Sequence, residues 1–237
     1  MCASPPSSAR PTSCCPALEV IGLYAIVLRA PAGAVGAKGE SLRAIDCGEF
    51  FALAGDPPAP LSVDALRAHE AAIRRIADAT EACLPARFGA TSQSDQSLQS
   101  ELAGRAAELI EALQLVRGRE QMTLRVFLAR GHEGAADAAA IMSPTLAGSG
   151  TRYLEERRRA GKFPELDPLR AVLSTVVRAE RVERHSEPGL LASVYHLIDK
   201  GAAREYARLA DTVKLESLRV LVSGPWPAWS FAPEVAP

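Results

Sequence analysis

The chain has 237 residues, 48% of them apolar and 23% charged, and 27 Lys plus Arg against 28 Asp plus Glu leave a formal net charge of -1. That length buries a core without metal or disulfide staples, as one large domain or two small ones. The charge balance argues against phosphate-tracking nucleic-acid binding, and an aromatic content of 5% argues against a base-stacking platform.

Residues 1–17 (MCASPPSSARPTSCCPA) hold one charge and four prolines and read as a disordered lead. They lack the basic-then-apolar order of a signal peptide. No apolar run reaches the roughly 18 residues that span a bilayer, so no lipid membrane is expected as a partner. The five cysteines, Cys2, Cys14, Cys15, Cys47 and Cys83, are odd in number and form no C-x-x-C pair. They read as reduced thiols of a cytoplasmic protein, not as a disulfide framework or zinc ribbon.

Leu18 to Leu28 is predicted to be a buried strand, rich in β-branched residues and ending at Pro31. The loop Gly33-Ala34-Val35-Gly36-Ala37-Lys38-Gly39 resembles a phosphate loop faintly, but the G-x-x-x-x-G-K-[ST] order is absent and Glu40 follows. Leu42 to Leu53 is predicted as a strand or strand pair, broken by Gly55-Asp56-Pro57-Pro58. Ser62 then reads as the N-cap of an amphipathic helix whose stripe is Leu66, Ile73, Ile76, Thr80 and Leu84. His69 lies on the edge of that stripe and reads as structural, since no nucleophile accompanies it. Ala86 to Thr91 is a short extended piece. Leu98, Leu102, Leu109, Leu113 and Val116 mark a second helix, closed by Gly118. Met122, Leu124, Val126 and Leu128 alternate as in a strand with one apolar face.

This order, with two helices on one face of a sheet, predicts a ferredoxin-like α+β sandwich over residues 18–130. A polar, Ala- and Gly-rich linker is expected at 131–149 and a second α+β domain at 150–237. Thr151 to Ala160 reads as a charged helix, with Arg157, Arg158 and Arg159 on a solvated face and Arg159 paired to Glu155. Asp167 and Pro168 open another helix, with stripe Leu169, Val172, Leu173, Val176 and Val177. Leu190 to Ile198 and Leu218 to Val222 read as strands, and Gly201 to Val213 as a helix turning Tyr206, Leu209 and Val213 inward. A three-stranded antiparallel sheet is expected here.

His132, His185 and His196 are scattered and give no metal-ligand spacing. No catalytic, cofactor-binding or metal residues are expected. Two elements remain. Arg87-Phe88-Gly89 follows the helix-ending Pro85, where a guanidinium can hold carbonyls or a carboxylate, or bind a partner. Gly224-Pro225-Trp226-Pro227-Ala228-Trp229-Ser230-Phe231 sets three large rings on a proline-stiffened backbone. Such rings lock the tail onto its own domain or present an apolar surface to a partner.

At these elements the chain resembles the gas vesicle protein F/L family. The resemblance rests on the opening strand Leu23 to Val27, His69 followed by Leu84 to Gly89 (Leu-Pro-x-Arg-Phe-Gly), Gly150 to Leu154, Tyr195 to Asp199, and the closing Gly224 to Phe231. It covers residues from about 20 to 234. Ala228 stands for the usual second proline of the closing motif, Trp229 for a tyrosine, and Ala25 where glycine is common. The resemblance implies two α+β domains, the first a modified ferredoxin-like fold. It implies a non-enzymatic role in gas vesicle formation, with binding to the main hydrophobic wall protein and to other accessory proteins. The rival reading is a small-molecule-binding or enzymatic ferredoxin-like domain.

Overall fold

The computed structural model describes residues 20–129, 164–185 and 189–234. The lead, the linker and the arginine-rich helix expected at 151–160 lie outside these residues. The architecture is α+β, with two antiparallel sheets, one in each half of the chain.

The first half runs β1 (Ile21–Val27), β2 (Arg43–Asp46), β3 (Phe51–Gly55), α1 (Val63–Ala79), β4 (Cys83–Pro85), β5 (Thr91–Ser92), α2 (Asp95–Ala103) and α3 (Ala106–Val116). Its strands stand in the order β2-β3-β1-β4, and β5 pairs with the start of β1. All seven residues of β1 are buried. A strand apolar on both faces needs cover on both. Ile21, Leu23 and Ile26 pack with Leu98 and Leu102 of α2 and Leu109 and Leu113 of α3. Tyr24, Ala25 and Val27 pack with Ala72, Ile73 and Ile76 of α1. The expected single layer of helices is thus corrected to one layer on each side. The connection from β1 to β2 is a loop with one isolated bridge, Val35 to Ser41, where a ferredoxin-like sandwich carries a helix.

Ser62 caps α1 as its sequence foretells, accepting a hydrogen bond from Ala65 N at 3.1 Å. The buried face of α1 is His69, Ala72, Ile73 and Ile76, while Leu66 is 43% exposed. The single helix predicted from Leu98, Leu102, Leu109, Leu113 and Val116 is two, α2 and α3, broken at Gly104 and Arg105.

The second half runs β6 (Arg119–Leu128), α4 (Asp167–Leu173), β7 (Val177–Arg184), β8 (Leu190–Asp199), α5 (Ala203–Asp211) and β9 (Leu218–Trp226), followed by a 3-10 turn, Trp229–Phe231. The sheet order is β7-β8-β6-β9, so this sheet has four strands, not the expected three. The added strand is β6, which the sequence reading gave to the first domain; it pairs with β8 on one side and β9 on the other. The reason lies in its alternation. Met122, Leu124 and Val126 meet Leu169 and Leu173 of α4 and Tyr206 and Ala210 of α5 in a second core. The described elements of this half follow a β-α-β-β-α-β order, the split arrangement expected of the first half. The chain therefore passes between the halves at Gly118, whose φ of +67° favours glycine. Gly118 N–H donates to Glu81 O at 2.7 Å, and Gly118 O accepts from Lys200 N at 3.0 Å, so the crossing point is tied to both halves.

Candidate functional site

The two motifs that stand out in the sequence meet where the halves meet. The closing segment leaves β9 at Trp226 after a cis peptide bond at Gly224-Pro225. At Gly224 φ is +128°, and a Cβ there would lie 2.8 Å from Met122 Sδ and 2.9 Å from Gln121 O. Glycine is required by both conformation and space. Trp226 receives the Arg74 guanidinium of α1 at 4.3 Å from its ring centroid. Pro227 and Ala228 are both buried. Phe231 is 2% exposed and joins Leu84, Leu109, Leu113 and Leu197 in one cluster, which draws on both halves. Trp229 packs instead against the α1-side core of Tyr24, Leu53 and Ile73.

Polar contacts fix the same turn. Ser230 N–H donates to Gln121 Oε1 at 2.9 Å, and the Gln121 amide donates to Thr123 Oγ1 at 3.2 Å. Ser230 O accepts from Arg181 at 2.7 Å, and that guanidinium lies 5.3 Å from the Phe231 ring centroid. Of the two roles open to the closing rings, the structure shows them docked on their own chain.

Arg87, Phe88 and Gly89 diverge. Arg87 reaches the Glu234 carboxylate at 2.7 Å, both side chains being largely exposed. Phe88 turns the other way and meets His69 edge to face at 5.6 Å. Gly89 holds a φ of +92° that lets the chain turn back to β1, where Leu23 N donates to Ala90 O. His69 stacks on Tyr24 at 5.2 Å, and its Nε2–H donates to Ala86 O at 3.0 Å. Burial lowers the His69 pKa, which keeps the ring neutral and fits a structural role.

Tyr24 also settles the glycine-rich loop. Its hydroxyl donates to Glu40 Oε1 at 2.6 Å and accepts from Ala37 N at 2.9 Å, while Lys38 N donates to Glu40 Oε2. The loop thus cradles its own carboxylate, and a Cβ at Gly36 would collide with it. Burial, helped by the hydrogen bond to Glu40, pushes the Tyr24 hydroxyl up to about 12. Burial works to raise Glu40, but the hydrogen bonds from Tyr24 and the loop outweigh it and leave its pKa below the usual carboxylate range.

Three cavities border these residues, one of them, about 290 Å³, beside Arg74, Pro225, Trp226 and Pro227. A groove of about 400 Å³ between the halves is lined by Arg87, Trp229, Ser230 and Glu234 on one side and Arg181, Glu183 and Tyr195 on the other. A smaller cavity of about 60 Å³ lies between Tyr24, Ala37, Pro58, Ala65, His69 and Phe88. At the start of α1, Leu61, Val63 and Leu66 are 77%, 62% and 43% exposed.

Several partners in this site carry no sequence signal: Glu234, Arg181, Gln121 and Arg74 become visible only once distant segments meet. A further cluster was likewise hidden. His196, expected to be merely scattered, bridges Tyr206 OH at 2.7 Å and Glu180 Oε2 at 2.9 Å, and Arg170 holds the same Glu180. Burial works to raise Glu180, but hydrogen bonds from His196 and Arg170 outweigh it and hold the carboxyl at about 2. His196 and Tyr206 are 2% and 0% exposed, so the cluster clamps α4 and α5 to the sheet. Among the described residues no group of three or more His, Cys, Asp or Glu could hold a metal ion. Cys83 is buried, which pushes its thiol up to about 12. No helix of the described residues is long and apolar enough to cross a membrane.

This architecture, with two sheets joined through a closing aromatic segment, has known counterparts. The crystal structure of the gas vesicle protein GvpF from Anabaena sp. PCC7120 is similar, with a TM-score of 0.66 over 90% of this chain and 96% of that one, at 16% identity. GvpF from Microcystis aeruginosa is similar with a TM-score of 0.66 over 91% of this chain and 99% of that one, also at 16% identity. In sequence, the chain is 28% identical to gas vesicle protein L of Streptomyces sp. (strain CB03234), over 85% of this chain and 87% of that one. The model of the family described as gas vesicle synthesis protein GvpL/GvpF matches residues 21–233, which takes in both sheets, the Arg87 element and the closing rings. The chain belongs to the GvpL/GvpF family of gas vesicle synthesis proteins.

Proposed function

We infer that this protein is a non-enzymatic accessory or minor structural protein of gas vesicle formation. It acts in the cytoplasm and at the vesicle, binding the main hydrophobic wall protein and other accessory proteins. The family match over residues 21–233 carries this reading. The surface supports it. A protein that engages an apolar wall subunit needs an exposed apolar patch of its own. Of the closing rings, Phe231 is buried in the junction between the halves, and Trp226 and Trp229 are half-buried against their own chain. The first sheet does not supply one either, since helices cover both its faces.

Of the exposed large apolar side chains among the described residues, three fall together in sequence at the start of α1: Leu61, Val63 and Leu66, apart from Val20, Val35 and Leu221. Exposed apolar side chains gathered on one short segment are the form of a contact surface for an apolar partner. We assign the wall-protein contact to this patch.

The test is a co-expression pull-down, with this protein tagged and the main wall protein from the same source as prey. Specific retention that disappears on altering the α1 patch, with the fold intact, supports the reading. Absence of retention by a folded protein overturns direct wall-protein binding.

A further inference from the structure

We propose that the groove between the two halves is a docking site for an acidic, extended segment of a protein partner, and that Glu234 occupies it as an internal placeholder. The proposal rests on the reading of this chain as a binding protein, but it concerns a different surface from the α1 patch.

The groove, about 400 Å³, is of the size that seats a few residues of a bound chain. Its charges are two guanidiniums, Arg87 and Arg181, against two carboxylates, Glu183 and Glu234. Glu183 is engaged on the far wall, where it accepts a hydrogen bond from Tyr195 OH at 2.9 Å. Arg181 is engaged by Ser230 O and faces the Phe231 ring. Among the described residues, Glu234 is the carboxylate that reaches Arg87, at 2.7 Å, and both partners are 74% exposed. Remove Glu234 and the groove keeps two guanidiniums against one carboxylate.

An ion pair this exposed contributes little to stability, because water and salt screen it. Its geometry nonetheless shows what Arg87 accepts: a carboxylate arriving along the line of the chain that follows Phe231. Trp229 and Tyr195 supply ring surface on either side for the apolar parts of a segment. A partner carboxylate that displaces Glu234 exchanges one exposed ion pair for another and adds contact with the rings. The charge complementarity thus points to an acidic segment, and Glu234 sets a threshold that such a segment must exceed.

The test uses the full chain carrying nitrogen-15 in its tryptophans, whose two indole N–H signals report Trp229 in the groove and Trp226 outside it. The probes are two capped hexapeptides, one alternating glutamate with leucine and one alternating glutamine with leucine. The glutamate peptide is expected to move the Trp229 signal and leave Trp226 in place. Glu234→Gln is expected to tighten it by about threefold to fivefold, the range an exposed ion pair supports. Arg87→Gln is expected to erase the preference for glutamate over glutamine. Both variants should melt with the wild type, since both side chains are largely exposed.

Equal binding of the two peptides, or affinity indifferent to Glu234 and Arg87, overturns the proposal. A Trp229 signal that moves with protein concentration alone, and stops moving in Arg87→Gln, also overturns it by making a second copy the occupant. Because no wall protein is present, failure here is distinct from failure of the pull-down.

Discussion

The Arg74 guanidinium lies 4.3 Å from the ring centroid of Trp226, and Glu70, one turn earlier on α1, holds the same guanidinium at 3.0 Å. A helix of the first half thus holds an aromatic ring of the second, in an arrangement that orients cation and ring together. Arg74→Ala is expected to cost about 0.5–1 kcal/mol in urea unfolding, the range for a cation over an indole at a partly exposed site. It should also shift the tryptophan emission. An unchanged emission spectrum would mean that the pair is not formed in solution.

Phe231 sits at the centre of the same junction, in a cluster with Leu84, Leu109, Leu113 and Leu197. Phe231→Ala is expected to cost about 3–5 kcal/mol, since the cavity it leaves is walled by both halves and cannot collapse without moving one of them. If the closing segment couples the halves, unfolding of this variant should also broaden into two steps, seen as a reduced denaturant slope. A single sharp transition at wild-type slope would mean that the halves stay coupled by other contacts.

Much of this was readable in the sequence, and the parts that were not share one cause. Strand β1 is apolar at nearly every position, and its burial follows directly from that. Ser62 as a cap and the closing rings were equally plain, because each is a local signal; the helix of Asp167 and Pro168 was plain at its start, but it ends at Leu173, and Val177 of its expected stripe opens β7. The partners of a strand are not local. The alternation of Met122, Leu124 and Val126 announces a strand, yet nothing within residues 119–128 tells which sheet it enters. The rings of the closing segment likewise carried two meanings until Leu197 and Leu84 were placed around Phe231. Leu66 failed for a related reason. It fits the helical stripe by spacing, yet it is left 43% exposed near the start of α1, because spacing picks out a face and not what covers it.

Acid should weaken the second half first. Glu180 has a folded pKa of about 2, well below its ordinary 4.5, held down by His196 and Arg170 against the opposing effect of burial. A depressed carboxylate pKa contributes stability that is complete above the unfolded value and is lost as pH falls from about 4.5 toward 2. The size is on the order of 2–3 kcal/mol. Glu180→Gln should be less stable than wild type at neutral pH and should lack this part of the acid slope. Urea midpoints between pH 2 and 7 decide the matter, and parallel curves for the two proteins would sink it.

The buried hydroxyl of Tyr24 holds the loop before β2 by joining Ala37 N to Glu40. Tyr24→Phe keeps the ring and its stack on His69 but leaves an amide and a carboxylate short of a partner. A loss of about 1–3 kcal/mol is expected, the cost of a buried polar group left unpaired. Hydrogen exchange at Ala37 should accelerate at the same time. Exchange at the wild-type rate would show that water replaces the hydroxyl without penalty.

The α1 patch and the closing rings make opposite predictions for stability and binding, which lets one comparison separate them. Leu61, Val63 and Leu66 are well exposed, so replacing all three by serine removes little buried area and should leave the melting temperature within a few degrees of wild type. If the patch contacts the wall protein, this variant folds but no longer retains it. Phe231→Ala should lose retention only to the extent that it loses the fold, because its ring faces the interior. Retention unaffected by the triple replacement would move the contact elsewhere. Retention lost in Trp229→Ala while its fold persists would point to the groove beside Arg87, and so to the surface assigned here to an acidic segment.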